Sequence, residues 1–177
     1  MALSEATKIE NGLLERVRSA SGTMQEKTAQ LDDDGTFSAY RALVDQYLDL
    51  ASDATDGMEA LKRAVFIAWF ECAEPGCFSG IAGISSEQRS AVLRVLDEAL
   101  LRCRLDSELE WMLPWYHFIA DWAFPKLEEF PAIVQFLGTS NPNAWEHLGL
   151  RAEQFAGRGQ MGAYWASVVD AHSRRQP

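Results

Sequence analysis

Apolar and polar positions alternate with a helical period along almost the whole chain. Ile9, Leu13 and Val17 recur every fourth residue, while Glu10, Glu15, Arg16 and Arg18 fall on other faces. This predicts a first amphipathic helix with Ser4 as its cap and Ser21-Gly22 at its end. A second helical piece is expected from Met24 to Leu31, followed by Asp-rich turn chemistry in LDDDGT. Tyr40, Leu43, Val44, Tyr47, Leu50 and Ala51 then mark a third helix that begins at Phe37.

Asp53 to Gly57 makes the next break, and Asp56 is placed to cap a helix that reaches Glu74. Its middle, Val65-Phe-Ile-Ala-Trp-Phe70, is apolar on every face. A helix without a polar face must be covered on more than one side, so this one is expected at the centre of the fold. Pro75-Gly76 stops it, and CFSGIAGI reads as a loop that packs down. Ser85 and Gln88 have capping-box spacing and open a long helix whose apolar stripe runs through Val92, Leu93, Leu96, Ala99, Leu100 and Cys103.

Asp106 or Ser107 caps a further helix to about Phe124, with a kink or boundary expected at Pro114. Pro125 and Pro131 can each begin a short helix, and Asn141-Pro142 opens one with Trp145, Leu148, Ala152 and Phe155 on a stripe. Met161, Trp165, Val168 and His172 belong to the last helix. No strand pair, internal repeat, low-complexity tract or long linker interrupts the pattern. The expected fold is all-α: a single-domain multi-helix bundle over residues 1–177, of roughly seven to nine helices around a central apolar helix at about 57–74. For residues 1–35 the pattern leaves two alternatives, packing on the body or a loosely packed N-terminal helical arm.

Composition narrows the function classes. The chain has 177 residues, 47% of them hydrophobic, with six tryptophans, enough to build the core of one domain. Its 26 acidic residues against 16 Lys and Arg give a net charge of -10, which repels a phosphate backbone and makes nucleic acid an unsuitable partner. A basic protein partner suits it better. Residues 1–60 carry 12 acidic and five basic side chains, so this third is either the docking surface for that partner or a solvated face. The longest apolar run, Ala64 to Phe70, is far too short to span a membrane, and the first residues show no export-type run. Three scattered cysteines, Cys72, Cys77 and Cys103, make no disulfide framework, so a cytoplasmic location is expected. Each cysteine reads as a small packing residue.

Candidate chemistry concentrates in LEWMLPWYHFIADWAF, residues 109–124. At helical spacing, Leu109, Met112, Tyr116 and Ile119 form one stripe and Trp111, Trp115, Phe118 and Trp122 the next, while Glu110, His117 and Asp121 occupy the opposite arc. His117 and Asp121 are four apart and read first as an ion pair on a polar face. With Glu71 and Glu74 of the central helix they could instead hold a divalent metal between two helices, although the Glu-x-x-His spacing of di-metal bundles is missing. The aromatic residues read mainly as core. They also allow an apolar groove of Phe66, Phe70, Trp111, Trp115 and Trp122 for a partner's helix.

AGRGQMGA, residues 156–163, contains GxGxxG. A dinucleotide fingerprint follows a strand inside a βαβ unit, whereas a helical stripe ending at Phe155 precedes this one. Gly157 and Gly159 are therefore expected to turn the chain between helices and Gly162 to allow close packing, leaving no cofactor-binding motif. Arg158 beside a helix N-terminus could still hold an anion. No Walker loop, HExxH, GxSxG or EF-hand loop is present.

In composition alone, the chain is similar to the small acidic helical immunity proteins and adaptors of bacterial cytoplasm. The leading expectation is thus a protein-binding module using an acidic surface and an aromatic groove. The alternative is a metal-assisted enzyme with a carboxylate and histidine site.

Overall fold

The computed structural model describes residues 2–175, and within them the chain is all-helical. The α-helices are α1 (Leu3–Ser19), α2 (Met24–Asp33), α3 (Thr36–Leu50), α4 (Gly57–Ala73), α5 (Gly76–Ser79), α6 (Ser86–Leu101), α7 (Ser107–Ile119), α8 (Pro131–Thr139) and α9 (Gly159–Ser173). Four 3-10 turns, Asp121–Ala123, Leu127–Glu129, Ala144–His147 and Ala152–Phe155, join the later helices. One contiguous apolar core runs from Ala6 of α1 to Val169 of α9.

α4 holds the central place that its unbroken apolar run predicts. It packs against α3, α6, α7 and α9, and every residue from Ala60 to Trp69 is buried. Phe66, Ile67 and Trp69 are essentially inaccessible. Each large apolar side chain removed from water in this way stabilises the fold by about 1.5–3 kcal/mol. Two of the buried indoles have their polar edges satisfied: Trp69 Nε1 donates to the Tyr116 carbonyl at 2.8 Å and Trp165 Nε1 to the Tyr116 hydroxyl at 2.7 Å, whereas the buried Trp145 Nε1 has no protein acceptor among the described residues. The rings of Trp69, Trp165 and Phe66 surround Tyr116 at centroid distances of 4.5–5.9 Å.

Several local signals act as the sequence predicts. Ser85 and Gln88 form both halves of the capping box of α6, and Asp106 caps α7 by accepting Leu109 N–H at 2.9 Å. Pro131 is the first residue of α8, where its missing N–H costs nothing. Thr23 and Glu26 make a second capping box, at the start of α2, from a T-x-x-E spacing that the helical periodicity alone does not reveal.

Other expectations are corrected. The first helix is capped by no side chain, and its buried face consists of Ala6, Glu10, Leu13, Leu14 and Val17. Ile9 is 39% exposed while Glu10 is completely buried, the reverse of their hydropathy. Nor is α1 a loose arm: it packs on α3 and α9, whereas α2 buries only Leu31. α7 continues through Pro114, because the carbonyl deprived of its helical donor belongs to the exposed Glu110. It then ends at Ile119, where Ala120 takes φ -151°, ψ 75°. The helix expected from Asn141-Pro142 is instead two 3-10 turns separated by Gly149 at φ 61°. Cys103 lies beyond α6 at φ 51° and is exposed rather than packed in its stripe.

Candidate functional site

A connected set of ion pairs runs from the buried Glu10, Lys62 and Arg63 to the partly exposed Glu59, Asp106 and Glu108. Lys62 and Arg63, both buried on α4, are two charges that the apolar reading of that helix overlooks. Arg63 Nη1 donates to Glu10 Oε2 at 2.9 Å and its Nε to Glu59 Oε1 at 3.0 Å, while Tyr47 OH donates to Glu10 Oε2 at 2.5 Å. Arg158 bridges two carboxylates, Glu59 at 2.5 Å and Glu108 at 2.7 Å. Lys62 meets Glu108, Asp106 at 2.8 Å and Glu59 at 3.3 Å. Every cation here has carboxylate partners, so the network ties α1, α4, α7 and the start of α9 together without leaving any of its own cations unpaired.

The electrostatic balance differs from site to site. Burial pushes the Glu10 carboxyl up, and Arg63, Tyr47 and the Gln160 N–H pull it back without cancelling the rise. Burial would also raise Glu108, but hydrogen bonds from Arg158 and Lys62 prevail and lower it to about 2. Glu59 moves the same way, its burial outweighed by Arg158, Lys62 and Arg63. These paired charges suit fastening better than proton transfer.

The GxGxxG corner belongs to this assembly. Gly159 has φ 60°, and a Cβ there would overlap the Glu10 carboxylate. Glu10 Oε1 accepts the Gln160 N–H at 2.9 Å, so the N-terminus of α9 is occupied by the protein's own anion. A Cβ on Gly162 would collide with the Phe155 carbonyl, whereas Gly157, at φ 74°, faces open space. With Glu10 at the helix start and Arg158 bound to Glu59 and Glu108, both features that suggest an external anion are already engaged.

The four residues proposed for a metal do not converge. Among the described residues, no group of three or more His, Cys, Asp and Glu side chains is arranged to hold a metal ion. Glu71 pairs with Arg89 at 2.7 Å and accepts Ile84 N–H at 2.9 Å. Glu74 ends α4 in extended conformation, and His117 packs on Phe124 with centroids 5.8 Å apart. Asp121 falls in the turn after Ala120, so its four-residue spacing from His117 is not a helical one. The two make no ion pair among the described residues.

The five aromatic residues expected to line a groove divide between core and surface. Phe66 and Trp111 are buried, and α9 fills the space beside them: Trp165 lies 4.6 Å from Trp111, and Tyr164 lies 5.5 Å from Phe66 and 5.6 Å from Phe70. Trp115, half-buried, donates from Nε1 to the Tyr164 hydroxyl at 2.7 Å. Trp122 stands apart at 65% exposed, with its Nε1 donating to the Cys72 carbonyl at 3.2 Å. Phe118, 62% exposed, and Ile119, 39% exposed, precede it at the end of α7. The result is three exposed apolar side chains, Phe118, Ile119 and Trp122, on either side of the break at Ala120, in place of a groove.

No family model, curated protein or solved structure matches the chain. The reading of the patch therefore rests on its own chemistry. Glu110 and Asp121 are exposed on the same segment, and neither they nor Glu74 makes an ion pair among the described residues. A second acidic face comprises Asp45 and Asp49 of α3 and Asp53 beyond it, all exposed. Among the described residues no helix is long and apolar enough to cross a membrane.

Proposed function

We propose that this chain is a protein-binding module that docks a basic partner on the patch of Phe118, Ile119 and Trp122. The observation that carries this reading is the exposure of Phe118 and Trp122, at 62% and 65%, at the end of α7 and in the turn after it, in a segment (107–124) whose other aromatic residues are at least half-buried. Large aromatic side chains cluster at the centres of interfaces because they bury much area with little loss of side-chain freedom. The chain's net charge of -10 and the unpaired Glu110, Glu74 and Asp121 favour a cationic partner and would speed its approach.

The test uses the full chain as bait in extract from its native host, beside a Phe118→Ala/Trp122→Ala variant with an unchanged circular dichroism spectrum. A basic protein retained stoichiometrically by the parent, lost by the variant and released by salt is the expected result. Equal retention by both baits, or no stoichiometric partner, would overturn the reading. The metal-assisted enzyme loses its support, since Glu71, Glu74, His117 and Asp121 do not gather.

A further inference from the structure

The Trp122 ring is anchored at one edge. Its indole N–H is held by the Cys72 carbonyl at 3.2 Å, which pins the edge of the ring on the end of α4 while the residue stays largely in solvent. Three other rings of this protein carry cations: Lys27 lies 5.5 Å from the Phe78 centroid, Arg63 5.8 Å from Tyr47, and Arg158 5.9 Å from Phe155. Among the described residues no such cation lies over Trp122. Indole has the strongest cation-binding face of the aromatic side chains, and Trp122 is the one exposed tryptophan of the six, so it is the indole open to a cation from outside.

The surrounding charge has one sign to spare. Between residues 109 and 130 stand Glu110, Asp121, Glu128 and Glu129 against a single formal cation, Lys126, which pairs with Glu129 at 3.6 Å. Arg89, the cation bound near Cys72, pairs with Glu71 and donates to the Ala68 and Ile84 carbonyls. Asp121 immediately precedes Trp122 in its 3-10 turn, and Glu74 lies two residues beyond the carbonyl that anchors the indole. Asp121 and Glu74, adjacent in the chain to the ring and to its anchor, make no ion pair among the described residues and can still take up a cation's charge.

We infer that Trp122, with Asp121 beside it, is the seat for an arginine side chain of the partner. This deepens the protein-binding reading and rests on it. A planar guanidinium stacks on the indole face while its N–H groups remain free to meet a carboxylate, which a compact ammonium does less well.

The probe is the peptide acetyl-Ala-Arg-Ala-amide, compared with its citrulline counterpart of the same shape and no charge. Each is titrated into the full-length, 15N-labelled protein at low salt, and the side-chain N–H signal of Trp122, assigned with Trp122→Phe, is followed. The arginine peptide is expected to shift that signal at least about threefold more strongly than citrulline at equal concentration. Asp121→Asn is expected to weaken its binding by a similar factor, and salt to reverse it. Equal shifts from both peptides, or shifts confined to the amides of Asp45, Asp49 and Asp53, would overturn the inference. A partner lost with the Phe118→Ala/Trp122→Ala bait, when the arginine peptide leaves Trp122 unmoved, would retain the binding module and sink only the arginine seat. A peptide that binds Trp122, with no partner dependent on the patch, would sink the module.

Discussion

The Glu10 carboxylate, in the middle of α1, accepts the backbone N–H of Gln160 at 2.9 Å, so a residue of the first helix caps the last. Arg158, at the N-cap of α9, has no side-chain bond to that helix's own free N–H groups. Glu10 supplies the missing acceptor from 150 residues away and at the same time holds Arg63 and Tyr47. Its position explains why α1 is fastened to the body and why Gly159 has no side chain.

Replacing Glu10 by Ala leaves Arg63 buried with a lost partner and α9 with a lost cap, and is expected to cost about 3 kcal/mol. Ile9→Ala, at the adjacent and partly exposed position, should cost less than about 1 kcal/mol. Urea unfolding midpoints of the two variants check this. Equal losses would contradict the arrangement of α1.

Gly159→Ala combines a positive φ with a Cβ that overlaps Glu10, whereas Gly157→Ala has only the positive φ. The expected destabilisation is about 2–3 kcal/mol at Gly159 and about 1 kcal/mol at Gly157. Thermal unfolding of both variants gives the order, and a reversal would mean that Glu10 does not lie against Gly159.

Acid should weaken the fold through Glu108. Its carboxyl moves from 4.5 to about 2 on folding, because Arg158 and Lys62 outweigh the effect of burial. A folded value below the unfolded one gives stabilisation that is complete above about 4.5 and is lost as pH falls toward about 2. After allowance for partial solvent screening it amounts to on the order of 2 kcal/mol. Glu59 acts in the same direction, while the raised Glu10 acts in the opposite one, its charge costing more as pH rises. Unfolding midpoints between pH 7 and pH 3 should fall less steeply in Glu108→Gln than in the parent; parallel curves would rule Glu108 out as the cause.

Trp122 is the one exposed tryptophan among the six. Trp122→Phe should remove most of the acrylamide-quenchable fluorescence and change stability by less than about 0.5 kcal/mol. Undiminished quenching would mean that another indole lies open to solvent.

Much of the fold is legible in local pattern. The stripe of α3 and the apolar run of α4 place those helices, and Ser85-Gln88, Asp106 and Pro131 mark starts whose chemistry lies within a few residues. The end of α7 is not legible, since no glycine or proline stands at Ala120, and the stripe of aromatic residues continues unbroken past it. That single turn of backbone separates His117 from Asp121 and brings Trp122 to the surface.

The sequence by itself determined the helical class, the central place of α4 and the turn at the glycine corner, because periodicity, capping and glycine conformation act over a few residues. Only the tertiary structure decided that Glu10 lies inside and Ile9 near the surface, that Lys62, Arg63 and Arg158 share carboxylates, and that α9 fills the expected groove. The reason is that a charge can be buried only where distant partners compensate its lost hydration, and an aromatic ring is covered only where another element reaches it. Neither condition is written in the spacing of neighbouring residues.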